Sequence, residues 1–91
     1  MRVALCQIAP VFLDKEATLD KVVDALAEAA HAGAQLAVFG EVLVPGYPIW
    51  LERTGGAAFN DPVQKAWHAR YLEQGVDLEQ GDLEAVQEAA R

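Results

Sequence analysis

RVALCQIAPVFLDKEATLDKVVDALAEAAHAGAQLAVFGE, residues 2–41, carries the pattern that sets the fold class. Both of its ends are apolar runs, at residues 2–8 and 35–41. A nearly continuous apolar run predicts a strand covered on both faces, as in a parallel sheet flanked by helices. Pro10 stops the first run, because proline has no N–H to give to a ladder. Between the runs, Leu19, Val22, Val23, Leu26, Ala29 and Ala30 recur at three- and four-residue intervals. That spacing predicts a helix over residues 15–31 with one apolar stripe. Asp14 is placed to cap its first turn, Glu16 sits where the helix dipole favours an anion, and Gly33 can turn left-handed after the last turn. Strand, helix, strand at this spacing is a βαβ unit with parallel strands, so the fold class is α/β.

Outward from that unit, residues 42–50 form a loop rich in proline, glycine and aromatics. Residues 52–60, with Gly55 and Gly56, are expected to be irregular. Asp61, Pro62 and Gln64 then give a cap, a first-turn proline and a capping-box pattern. The helix they open carries Val63, Ala66, Trp67 and Tyr71 as its stripe and ends at Gly75. A last helix follows Asp82, with Leu83, Val86 and Ala90 on one face, and is still running at Arg91. Two strands and three helices leave a parallel sheet with two open edges and too few members to stand alone. The expectation is a domain truncated before its remaining strands.

The 91 residues are 53% hydrophobic and 23% charged, the balance of a folded globular chain. A chain of this size buries only about 60–65% of its unfolded surface, so its core is thin. Seven basic against fourteen acidic side chains give a formal net charge of −7. Phosphate repels such a surface, which argues against nucleic acid or an anionic membrane as partner. No run of about 20 apolar residues suggests a membrane span, and no export signal is expected at the start. One cysteine excludes an internal disulfide and suits a reducing interior, so the expected location is cytoplasmic.

Glu41 is the residue to single out for chemistry. It ends an apolar strand and precedes an apolar loop, and ligands of open α/β sheets bind beyond the carboxyl ends of the strands. Apolar surroundings raise a carboxylate's proton affinity toward the range a general base needs. The plainer reading is a glutamate marking a strand end in solvent. Cys6 lies within a strand run, where a free cysteine is an inert small hydrophobe. Lys15, Lys21 and Lys65 fall at polar helix positions and read as solvated surface. His31 reads as a helix-end residue suited to the dipole. Neither His31 nor His68 has a second ligand at metal spacing, so no metal is expected. Trp67 and Tyr71 read as packing. Tyr47, Pro48 and Trp50, on the loop after Glu41, either line a substrate pocket or brace the loop. No phosphate-binding glycine loop occurs, and no cofactor is expected.

Residues 34–41, AQLAVFGE, followed by Pro45-Gly46-Tyr47-Pro48-Ile49-Trp50, closely resemble the first catalytic motif of the nitrilase family of carbon–nitrogen hydrolases. Residues 3–11 resemble that family's first strand, and residues 17–21, ATLDK, its first helix. The likeness runs through nearly the whole chain in order. The Pro-Gly-Tyr-Pro and Trp segment points toward true nitrilases over amidases. The resemblance implies an α-β-β-α sandwich, of which residues 1–91 would be the amino-terminal part. It also implies a Glu-Lys-Cys triad whose thiolate attacks a nitrile carbon to give a thioimidate, which water converts to an acid and ammonia. In that triad the glutamate activates the thiol and the lysine offsets developing charge. Only the glutamate carries over, onto Glu41; Tyr47, Pro48 and Trp50 become candidate substrate-binding residues. One departure is Gly40, where the family usually has proline, and glycine loosens the backbone that aims the carboxylate. The implied partners are a small nitrile or amide and, in the whole enzyme, further copies of itself in a homo-oligomer. The rivals are an amidase or carbamoyl-amide hydrolase of the same superfamily, and a non-catalytic product that associates with a longer homologue.

Overall fold

The computed structural model of the chain describes residues 1–56 and 58–91. The elements run β1 (Val3–Cys6), α1 (Lys15–His31), β2 (Leu36–Phe39), α2 (Trp50–Arg53), α3 (Pro62–Glu73) and α4 (Glu84–Ala89). The two strands pair in parallel with Val3 opposite Leu36 and Cys6 opposite Phe39, the βαβ arrangement expected from the sequence. Each is four residues long, shorter than its apolar run.

α1 begins and ends where its caps dictate. The Asp14 side chain accepts from the Ala17 amide at 3.0 Å. At the far end Gly33 turns left-handed at φ +80°, and its amide and that of Ala34 donate to the Ala30 and Ala29 carbonyls. The Arg2 guanidinium adds a 2.7 Å hydrogen bond to the Ala32 carbonyl, a cation at the negative end of the helix dipole.

The strands depart from expectation in their cover. Ala4, Cys6, Ala37 and Phe39 are half-buried on one face, and Ala4 and Cys6 share a cleft with Ala25 and Ala29 of α1. Val3, Leu5, Leu36 and Val38 point the other way and are 45, 80, 48 and 43% exposed. Among the described residues the sheet has a helix on one face and nothing on the other. The apolar runs predict cover on both faces, and among the described residues only one face has it.

α3 is capped by Asp61, whose carboxylate accepts from the Gln64 amide at 2.9 Å, with Pro62 at its first position. Only half of the capping box forms. The Gln64 amide nitrogen donates to the Thr54 carbonyl and hydroxyl, which ties α3 back to α2 instead of to its own cap. The expected stripe is corrected too. Val63 and Ala66 are exposed and Trp67 is half-buried under Arg70. The face turned inward carries Gln64, with Tyr71 against Trp50. α2 occupies part of the stretch expected to be irregular, and Ala57 of that stretch lies outside the described residues.

α4 packs against α1. The junction is held by Lys15, whose ammonium is 2.7 Å from the Asp82 carboxylate and 3.3 Å from the Gly75 carbonyl. Its backbone amide donates to the Gln74 side chain at 2.8 Å. Lys15 is therefore a tie between elements, where the sequence reading had it as solvated surface. No helix among the described residues is long and apolar enough to cross a membrane.

Candidate active site

Glu41 lies two residues past β2, at the carboxyl end of the parallel pair, and opens the turn at residues 41–45. Its side chain is exposed, so these residues alone do not supply the apolar surroundings expected of it. Among the described residues it makes no ion pair. Beside it, a depression of about 330 Å³ is lined by Leu5, Cys6, Gln7, Val38, Phe39 and Gly40, across the ends of both strands. Gly40 avoids the left-handed region, and a Cβ built there meets nothing within 4 Å. Its freedom is not spent on a tight turn or a close approach.

The turn itself is firmly built. Val42 takes a left-handed φ of 49°, and the Gly46 amide donates to the Val42 carbonyl at 3.1 Å. Pro45 and Gly46 are buried. The Pro45 carbonyl accepts from the Leu13 amide at 3.1 Å, so the loop after β2 is tied to the loop after β1. Leu13, itself left-handed at φ 52°, is one of the few buried apolar side chains.

The candidate substrate residues separate. Tyr47 is exposed, Pro48 is half-buried and Trp50 is buried. The Trp50 ring meets His68 edge-on at 6.3 Å between centroids and Tyr71 at 6.2 Å, so it braces α2 against α3. It also lines a depression of about 360 Å³ with Leu51, Gln64, His68 and Leu72. The Trp50 indole nitrogen and the Gln64 side-chain oxygen are buried without partners among the described residues.

The lysines do not converge on Glu41. Lys15 is held by Asp82 and Gly75, Lys21 donates to the Ala9 carbonyl at 2.5 Å, and Lys65 bonds Asn60. Cys6 is half-buried with its sulfur on the Ala4 carbonyl side of its own strand. Among the described residues no group of three or more His, Cys, Asp or Glu side chains stands in metal-holding geometry.

Sequence reasoning passed over Thr18. Among the described residues it is fully buried, and its hydroxyl both accepts from the Val11 amide and donates to the Val11 carbonyl, each at 3.0 Å. The available signal was a hydroxyl four residues before Val22, on the apolar stripe of α1.

The described residues thus form a parallel βαβ unit with a glutamate just past the carboxyl end of its second strand. The chain belongs to the carbon–nitrogen hydrolase family, whose model matches residues 2–91. An arylacetonitrilase of Aspergillus oryzae is 37% identical over 90 residues, covering 99% of this chain and 25% of that protein. A nitrilase of Pseudomonas syringae pv. syringae is 40% identical over 93 residues, covering all of this chain and 26% of that protein. An arylacetonitrilase of Hypocrea virens is 33% identical over 91 residues. The chain thus spans about a quarter of the length of these curated relatives. No solved structure matches it.

Proposed function

We propose that residues 1–91 are the amino-terminal, glutamate-bearing part of a domain that hydrolyses a nitrile to its carboxylic acid and ammonia, with Glu41 as general base. The observation that carries this reading is the position of Glu41, at the carboxyl end of a parallel strand pair in a chain of the carbon–nitrogen hydrolase family. The relatives named arylacetonitrilase make an arylacetonitrile the first substrate class to try.

In this reading the Glu41 carboxylate takes the proton of a cysteine thiol, and the thiolate adds to the nitrile carbon while the nitrile nitrogen gains a proton. A first water adds to the resulting thioimidate, ammonia leaves, and a second water releases the acid from the thioester. A lysine offsets the charge that builds on nitrogen and oxygen. The lysine and the cysteine belong to strands outside these residues, so the isolated chain would not turn over. The bare face of Val3, Leu5, Leu36 and Val38 supports the α-β-β-α sandwich, since a second sheet laid against it gives those side chains the cover they lack.

The test is made on the full open reading frame, incubated with phenylacetonitrile and, separately, phenylacetamide. Release of ammonia and acid from the nitrile, with an acyl adduct on one cysteine by mass spectrometry, is the expected result. Turnover of the amide with none of the nitrile would move the assignment to an amidase. Neither turnover nor adduct on any nitrile or amide would favour a non-catalytic product.

A further inference from the structure

We propose that Thr18 is a positioning residue that holds Glu41 through the two loops at the carboxyl edge of the sheet. The inference rests on the reading of Glu41 as the base. The Glu41 side chain is exposed and forms no ion pair among the described residues, so the backbone turn that follows sets its direction. That turn is closed by the Gly46 amide on the Val42 carbonyl and is tied from outside to residues 10–13. Leu13 donates to the Pro45 carbonyl, and the Phe12 ring edge lies 3.1 Å from where a Gly46 Cβ would stand, with Pro10 at 3.6 Å.

Residues 10–13 lie outside both strand and helix, so neither ladder fixes them. Thr18 does. Its hydroxyl is donor and acceptor at once, taking both the N–H and the C=O of Val11 from a position with 0% exposure. The Val11 carbonyl also accepts from the Asp14 amide at 3.0 Å, so what Thr18 alone adds is a partner for the Val11 N–H and a second one for its carbonyl, which together anchor residue 11 to α1. The connection therefore runs from Thr18 to Val11, from Leu13 and Phe12 to Pro45 and Gly46, and through Val42 to Glu41. A shift of about 1 Å in a catalytic group can cost on the order of 10²-fold in rate, so slack in this chain of contacts should register in turnover.

The experiment compares Thr18→Val, Thr18→Ser and Glu41→Gln in the full open reading frame, with kcat and KM corrected for folded protein. Valine keeps the branched shape and removes the hydroxyl; serine keeps the hydroxyl and loses the methyl. Thr18→Val should lower kcat by about 10- to 100-fold while KM moves less than about threefold, and Thr18→Ser should restore most of the turnover. Full kcat in folded Thr18→Val beside an inactive Glu41→Gln would overturn the positioning role and leave the base assignment standing. Normal turnover in Glu41→Gln would overturn the base assignment, and this inference with it. A Thr18→Val protein that lowers only the melting temperature also contradicts the proposal. Should Thr18→Val not fold, Phe12→Ala probes the same connection at a partly exposed side chain. A fall in its kcat at constant KM supports the proposal, and an unchanged kcat overturns it.

Discussion

Gly46 has a φ of +111°, and a Cβ there would stand 3.1 Å from Phe12 Cδ2 and 3.6 Å from Pro10 Cγ. Both facts disfavour a larger residue: the first by backbone strain, the second because the Phe12 ring would have to give by a few tenths of an ångström. Gly46→Ala in the full-length protein should therefore lower stability by about 1–3 kcal/mol, read as a lower urea midpoint at constant slope. An unchanged midpoint would mean that the loop yields freely. Gly40 is the opposite case, since a Cβ there meets nothing; its glycine answers no steric need in these residues. Glu41 stands out in the sequence because a charge at the end of an apolar strand breaks the pattern, and the structure places it exposed just past that strand. Thr18 does not stand out, because one threonine on a helix stripe reads as a small, tolerated side chain. Its partner is a loop backbone seven residues away, and periodicity carries no information about that.

α1 was read with its bounds at Lys15–His31, because cap, stripe and terminal glycine all agree on one answer. α2 escaped notice for the converse reason. It is four residues long, and its N-cap, Ile49, makes no side-chain cap bond. The tie between Lys15 and Asp82 joins residues 67 apart in sequence, and no local signal marks it. Asp82 receives hydrogen bonds from the Lys15 ammonium and the Asp77 amide, which hold its carboxyl below the usual carboxylate range. A group depressed in the folded state stabilises above its unfolded pKa and loses that contribution as pH falls through the folded one. The junction of α1 with α4 should thus be at full strength above about pH 4 and loosen below it. Amide exchange at residues 15–18 and 84–89, compared at pH 6 and pH 3 after correction for intrinsic rates, checks this. Selective loss of protection at the lower pH is expected in the native protein but not in Asp82→Asn, which should already be loose at pH 6. Equal protection in all four samples would contradict it.

As a whole molecule the chain is long and open. Its extents are 48 × 25 × 18 Å and its radius of gyration is 15.5 Å, against about 12 Å for a compact domain of this length. It exposes 6641 Å², where a compact monomer of its mass exposes about 5,200 Å². The excess includes the bare sheet face of Val3, Leu5, Leu36 and Val38. Residues 1–91 expressed alone should accordingly self-associate or exchange rapidly in both strands. Light scattering after size exclusion, with hydrogen exchange on the main peak, reads the outcome. A monomer melting cooperatively with slow amides in β1 and β2 would contradict the account. The apolar runs at residues 2–8 and 35–41 read as strands covered on both faces, but nothing local in them tells that one face stays exposed among the described residues.

The proposed role of Glu41 as base stands or falls on ammonia release by the full open reading frame and its Glu41→Gln variant. Glutamine keeps size and hydrogen-bonding shape and removes only the base, and such bases contribute about 10²–10⁴-fold. The account predicts a loss of that order at an unchanged melting temperature. Ammonia release within about twofold of the parent, well short of a base's usual contribution, would leave Glu41 as no more than a strand end in solvent.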